Sequence, residues 1–380
     1  MAITDVARYA HLSPREIDAL GAALDSIRTE VEDSRGGRDA AYIRRTIQFQ
    51  RTLDAVARLL IFATRSRAGW LLGTVSLALA KSIENMEISH NVAHGQWDWM
   101  NDPEIHSATW EWDMAGLTSQ WRYSHNYRHH VFTNVLDVDD DLGFGIMRVT
   151  RDVAWRPRNL IQPLRNVLLA VIFEWGIALH GLHSEHERAT STAERTAHTQ
   201  ALRRKITRQV MKDYVVIPAL NGSRWRRALT ANAAANVLRN LWAYAVIFCG
   251  HFPDGAEKFT SGVLEQESRP EWYLRQMLGS ANFRAGRVLA FLSGNLCYQI
   301  EHHLFPDLPS NRYAQIASRV QALCAAYGLP YTTGPLPRQF WQAQRTILKL
   351  ALPDRFLRAT SDDTPATASE LRGYQARMES

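Results

Sequence analysis

The chain has 380 residues, 46% hydrophobic and 22% charged, with mean hydropathy −0.27 and a net charge of +6. These averages exclude a disordered chain and a carrier embedded wholly in a bilayer, but leave room for a few spans beside a large aqueous part. Cys249, Cys297 and Cys324 form no C-x-x-C pair, which argues against a disulfide scaffold, a zinc ribbon and a cysteine-bound iron–sulfur cluster. The basic balance comes without zinc-finger spacing or a long Lys/Arg run, so nucleic acid is not an expected partner.

Residues 1–40 read as a polar N-terminal helical region. Its start, MAITDVARYAHLSPRE, lacks the basic opening and apolar core of a signal peptide, so the expected compartment is intracellular. Ser13-Pro14-Arg15-Glu16 is a capping box with proline at the first helical position, and the helix should end near Gly36-Gly37. Four apolar stretches follow, at 53–64, 69–83, 160–182 and 231–250. A spanning helix needs about 20 apolar residues to cross about 30 Å, and none of the four is clean. The first holds Asp54 and Arg58, the third Arg165 and Glu174, and the fourth Asn232, Asn236, Arg239 and Asn240. They read equally well as spans or as buried core helices. Residues 356–380, rich in small and polar residues, form a loosely ordered C-terminal tail.

The strongest signal is where the histidines fall. His90 and His94 are spaced i, i+4, as are His125 and His129, with His130 adjacent; a doublet, His302-His303, ends the third cluster, and His251 follows the last apolar stretch. One helix can supply two imidazoles to one ion at that spacing. A lone pair of this kind is ordinary, but these clusters separated by apolar segments point to metal. Eight histidines exceed what one zinc needs and suit two ions. His251 by itself reads as an interfacial residue, and only the order of motifs adds it to the set. His180, His183, His186 and His198 lie in or near a charged segment and read as solvated; His11 and His106 read as structural.

These motifs, H-x-x-x-H, H-x-x-x-H-H and Q-x-x-H-H, resemble the three histidine boxes of the membrane fatty-acid desaturase family. The resemblance runs from about residue 40 to about 355 and includes HNVAHGQWDWMNDPEIHS, DYVVIPAL, VIFCGHFPDGAEKF and NLCYQIEHHLFPDLPSNR. It is strongest to bacterial acyl-CoA desaturases of the stearoyl-CoA Δ9 type. It implies an all-α fold, an integral membrane bundle of about four helices within residues 41–355, with a cytosolic helical cap holding two iron ions. It also implies the cell membrane as location, with the active site facing the cytosol. Carried over by position, the ligands are His90, His94, His125, His129, His130, His251, His302 and His303. Gln299 stands where other members have a histidine, which leaves open whether it binds metal or cedes the place to water.

The implied reaction is O₂-dependent removal of two hydrogens from adjacent methylenes of a long-chain acyl substrate. No side-chain base can attack such a C–H bond at neutral pH. Carboxylates that would fix the imidazole tautomers are sought among Glu87, Asp98, Asp139, Asp140, Asp141 and Glu301; any single member of the Asp run reads first as part of a solvated loop. Trp97, Trp99, Trp110, Trp112 and Trp121 would wall an acyl tunnel or anchor an interface. Arg148, Arg151, Arg156 and Arg158 would meet the phosphates of acyl-CoA or flank a membrane. Without a dinucleotide loop, ferredoxin cysteines or a haem motif, the chain needs a separate partner, a flavoprotein reductase or ferredoxin-like donor drawing on NAD(P)H.

Topology strains this picture. With all histidines on one side, 53–83 is a hairpin whose turn, Arg65-Ser66-Arg67, is positive on the outside, against the usual charge rule. Pairing 160–182 with 231–250 leaves basic 183–230 outside too, unless 207–220 enters the bilayer and 160–182 lies flat or re-enters. Among rival functions, a di-iron membrane hydroxylase or alkane-type monooxygenase shares the histidine pattern. The soluble di-iron desaturases need a second Glu-x-x-His beside Glu87-Ile88-Ser89-His90, and none occurs. A metal transporter predicts ligands inside the spans, whereas these clusters flank them; a zinc hydrolase would leave five histidines unexplained.

Overall fold

Ser13 opens the first helix, α1 (Pro14–Asp33), by the predicted box: its side chain accepts from Glu16 N, and Glu16 reaches back to Ser13 N at 2.7 Å. The computed structural model describes residues 11–265 and 267–357, so the first ten residues and the expected tail beyond 357 lie outside the described residues. One face of α1 (Ile17, Leu20, Leu24, Ile27, Val31) is buried in a core with Phe305, Tyr313 and Ile316. The helix is thus built into the same core as the last histidine cluster.

Next comes a hairpin of α2 (Gly37–Ala63) and α3 (Arg67–Ile83), joined by a turn at Thr64–Ser66. Small residues let these helices approach closely: a Cβ on Gly73 would stand 2.7 Å from Ile61 Cγ1. Beyond Ile83 the helix runs on as a π-helical turn, Glu84–His90, and ends as α4 (Asn91–Ala93). A second π-helical turn, Arg122–His129, follows α5 (Thr118–Trp121). Such turns carry one extra residue and recur at functional sites.

The stretch expected at 160–182 is not one helix. It breaks at Ile172 into α6 (Gln162–Val171) and α7 (Phe173–Arg188), and the segments Pro157–Val171 and Phe173–Arg188 meet at 103°. Gly176 lies just past the bend, where a Cβ would stand 2.4 Å from Leu169 Cδ1. The outer side of α6 exposes Leu164, Val167 and Leu168, while Gln162 and Asn166 are buried. The partner of 231–250 is therefore a different segment. α8 (Thr192–Val210), a π-helical turn Met211–Val216 and α9 (Ile217–Leu220) form one helical run. It turns at Gly222 (φ +57°) into α10 (Trp225–His251). Ala228, Ala231 and Ala235 of α10 pack against Ala57, Ile61, Leu77 and Ala78 of the first hairpin.

Both turns lie at one end of this group. Arg227 donates to Ser66 O at 2.6 Å and Trp70 Nε1 donates to Arg227 O at 3.1 Å. The opposite end holds His90, just past α3, and His251, the last residue of α10. Most of the polar residues that spoiled the apolar stretches are paired inside the bundle, although Arg165 stays near the surface on the carbonyls of Ile146 and Arg158. Asp54 holds Arg58, which reaches Asn232; Lys81 pairs with Asp213 at 3.0 Å; Glu174 pairs with Arg239 at 2.5 Å. By length and composition no single described helix can cross a membrane; only the bent pair across Ile172 passes that test jointly.

The remaining helices are α11 (Arg269–Gly279), α12 (Arg287–Leu292), α13 (Gln299–Leu304), α14 (Tyr313–Ala326) and α15 (Leu336–Lys349). The described chain is not purely helical, because β1 (Asn282–Arg284) pairs in parallel with β2 (Thr333–Pro335), Phe283 opposite Gly334.

The turn before α13 tests this packing. Gly294 has φ +69°, and a Cβ there would lie 2.3 Å from the carbonyl oxygen of Met86, inside the π-helical turn that carries His90. Gly294→Ala is expected to cost about 2 kcal/mol or more, read by thermal unfolding. Gly37→Ala, which meets nothing within 4 Å, should leave the transition in place.

Candidate metal centre

Four chain segments deliver the eight histidines to one place. His90 and His94 come from the turn after α3, with ring centroids 4.6 Å apart. His125, His129 and His130 come from the turn after α5, His302 and His303 from α13, and His251 from the end of α10. Two groups result. Ligand atoms of His90, His94, His125 and His302 all lie within 4.8 Å of one another, and so do those of His129, His130 and His303. His251 joins the second group, its Nε2 3.3 Å from that of His303 and its ring 4.6 Å from that of His129. The groups adjoin, with the rings of His94 and His130 4.6 Å apart.

Four of the histidines have Nδ1 tied to a neighbouring polar group. His129 Nδ1 meets both oxygens of Asp139 at 3.0 Å, and His125 Nδ1 meets Asp141 at 2.9 Å. His302 Nδ1 faces the Tyr313 hydroxyl at 3.2 Å, and His303 Nδ1 faces Gln276 Oε1 and Thr133 Oγ1, each at 3.1 Å. A proton held on Nδ1 leaves Nε2 as a lone-pair donor. The Nε2 atoms of His94, His125, His129, His130 and His302 are buried and have no hydrogen-bond partner. Such atoms are costly to bury unmet, and these converge on shared space. The donor set fits two adjacent ions of a metal that accepts imidazole.

Electrostatics keep the donors neutral. Burial, then the neighbouring His125, pushes His90 down to about 3. Burial and nearby imidazoles likewise hold His94, His130, His251, His302 and His303 well below the usual range. His129 differs: burial lowers it, but Asp139 and Asp141 outweigh that and raise it.

Of the carboxylates sought from sequence, only Asp139 and Asp141 reach the clustered histidines. Glu87 sits three residues before His90, yet the π-helical turn rotates it away, onto Tyr42 and Ser310. Glu301 holds Asn282 and Tyr331, Asp98 holds Ser107, and Asp140 holds Arg128 and Ser184. Burial pushes both Glu87 and Glu301 up to about 7. Gln299 places Nε2 2.9 Å from His251 Nε2, and its Oε1 is buried without a partner. His180, expected to be solvated, is instead buried, with Nε2 2.9 Å from Asp141. The charged run after it hid this, and His183, in that run, is indeed exposed.

An apolar cavity opens beside the histidines. His90, His125 and His251 share its wall with Met86, Trp112, Met114, Trp121, Phe173 and Ile247. The other three tryptophans lie elsewhere: Trp97 is buried near Tyr42, Trp99 bonds Gln96 O, and Trp110 bonds Ser89. Phe144 and His180 also line a neighbouring surface basin that contains Thr150, Arg156 and Arg158. Arg148 borders this basin, but its guanidinium is buried and held by Val153 O and Asp354, so its charge is not offered to solvent. Arg151 lies off the basin lining, its carbonyl accepting from Arg148.

Asp139→Asn should weaken metal binding 10- to 100-fold, the usual effect of losing a partner that orients a ligand. The measurement is titration of metal-stripped protein with iron(II) or cobalt(II). Asp98→Asn should leave the affinity unchanged; equal losses in both variants would contradict the assignment of Asp139.

Comparison with known proteins agrees with this geometry. The fatty acid desaturase family model matches residues 67–335. The chain is 56% identical to the NADPH-dependent stearoyl-CoA 9-desaturase of Mycobacterium tuberculosis, over 97% of this chain and 88% of that protein. It is 23% identical to an sn-1 linoleoyl-lipid 6-desaturase of Synechocystis, over 70% of this chain and 76% of that one. The matched segment contains all eight clustered histidines, and the chain belongs to the fatty acid desaturase family.

Proposed function

We propose that this fatty acid desaturase acts on long-chain acyl-CoA, stearoyl-CoA foremost, and introduces a cis double bond at Δ9 with O₂ as co-substrate. The observation that supports this most is the pair of imidazole groups set into the wall of an apolar cavity. His90, His94, His125 and His302 would hold one iron ion, and His129, His130, His251 and His303 a second. Iron bound there supplies the redox chemistry that breaking an unactivated C–H bond demands and that no side chain here can provide. The balance is one O₂, two electrons and two protons consumed with the two hydrogens of the chain, giving the alkene and two waters.

The protein's own groups do the rest. Asp139 and Asp141 hold His129 and His125 with Nε2 turned inward. Trp112, Trp121 and Phe173 keep water from an extended chain and orient it past the histidines. Arg156 and Arg158, in the basin that meets the cavity at Phe144 and His180, suit the phosphates of a CoA head group. A separate NAD(P)H-dependent reductase or ferredoxin-like partner would deliver the electrons.

Membrane residence is part of the same proposal. Leu59, Leu72, Val75, Leu220 and Leu241 are exposed on the outer faces of α2, α3, α9 and α10, and Leu164 on α6. Exposed apolar side chains on several helices suit a lipid environment. The two hairpins, α2–α3 and α8/α9–α10, would enter the bilayer, with α6 flat at its surface. The end distant from the histidines carries Arg65, Arg67, Arg224, Arg226 and Arg227, which opposes the charge rule. Acyl-CoA and the electron donor are cytosolic, and this favours the histidine end facing the cytosol at the cell membrane.

Expression in a desaturase-deficient host fed palmitate and stearate, with products identified by mass spectrometry, tests the reading. A new cis monounsaturated chain, absent with His129→Ala, is expected; a hydroxylated chain would move the assignment to a monooxygenase. With purified enzyme, Arg156→Ala with Arg158→Ala should raise KM for stearoyl-CoA about tenfold or more with kcat little changed.

A further inference from the structure

Below the histidines, the acyl cavity meets a layer of buried ions. The segment Asp113-Met114-Ala115 crosses it, and Met114 lines the cavity while being 5% exposed. Both neighbours of Met114 are fixed by charged groups from surrounding helices. Arg239 of α10 donates to Asp113 O at 3.2 Å, Glu174 of α7 accepts from Ala115 N at 3.3 Å, and Glu84 accepts from Asp113 N at 3.0 Å. Arg239 and Glu174 pair with each other, and the Asp113 carboxylate lies among Lys81, Gln209 and Lys212. Met114 packs with Ala93, Trp112 and Trp121 and lines the cavity but not the basin. Along α7, Glu174 is six residues from His180, roughly 9 Å deeper.

An apolar chain entering from the mouth cannot pass such a layer, because prising open paired buried charges leaves them unmet in a water-poor interior. We infer that Met114, held from beneath by the Arg239–Glu174 pair, is the closed end of the acyl cavity and sets the longest chain the enzyme accepts. This rests on the acyl desaturase reading and gives the buried ions a function: they fix the cavity's depth. Methionine is unbranched and packs adaptably, so its length rather than a rigid shape defines the limit.

The test is competition among saturated acyl-CoAs from myristoyl to arachidoyl, supplied together to purified enzyme with its electron donor. Met114→Ala lengthens the cavity and should raise turnover of arachidoyl- relative to stearoyl-CoA about tenfold, the scale on which apolar pockets discriminate by methylene. Met114→Phe shortens it and should shift preference toward myristoyl- and palmitoyl-CoA, so either variant decides the matter if the other fails to fold. In both, the double bond should stay at the same distance from the carboxyl carbon, since the head group still fixes the register. Variants that desaturate with the wild-type length profile, or that move the double bond, overturn the inference. Absence of any desaturated product from wild-type enzyme would instead overturn the reading beneath it.

Discussion

Eight imidazoles are buried against one another, and the rest of the molecule is arranged around that fact. A protonated imidazole here would face several neighbours that could also become charged, in a medium that screens poorly. Most of the cluster is therefore held neutral, with unbonded ring nitrogens converging. Each unmet buried polar atom costs about 1–3 kcal/mol, so an ion that satisfies several at once stabilises the fold as well as equipping it for chemistry. The Asp139 and Asp141 carboxylates complete this logic from outside, tying Nδ1 of His129 and His125 and so choosing the nitrogen that faces inward.

The same economy of buried charge governs the helices below. Lys81–Asp213 and Arg239–Glu174 are spread across four helical segments, and each charge has its counter-charge inside the bundle rather than at its surface. Such pairs add little net stability over apolar packing, which makes their collection under the cavity informative. They clamp one backbone segment, Asp113–Ala115, and leave the outer faces to leucine and valine. Metal site, cavity and ion layer are stacked along α10, from His251 at its end to Arg239 about three turns back.

Sequence made the histidine clusters legible because ligand chemistry demands a residue type at a spacing, and both survive folding unchanged. The capping box at Ser13 and the hairpin turn near Ser66 were legible for a similar reason, since their signals are local. Three features were not. The break at Ile172 falls inside a continuous apolar run with no proline or polar residue beside it to mark it. The rotation of Glu87 away from the site follows from a π-helical turn that ordinary helical periodicity does not anticipate. His180 was hidden by the polar run after it, because the buried face of this helix continues into that run through Gly181, Ser184 and Glu185. The arginines divided likewise: nothing in their spacing distinguishes buried Arg148 from Arg156 and Arg158, because Asp354, its partner, lies far along the chain.

We propose that the clustered histidines form one centre for two iron ions. Metal analysis of the protein purified under anaerobic conditions, together with Mössbauer spectroscopy after enrichment with iron-57, tests it most directly. The account predicts two irons per chain in magnetically coupled, nitrogen-rich sites, falling toward one when His303→Ala opens the second group. A single iron, uncoupled irons or stoichiometric zinc in active protein would contradict it.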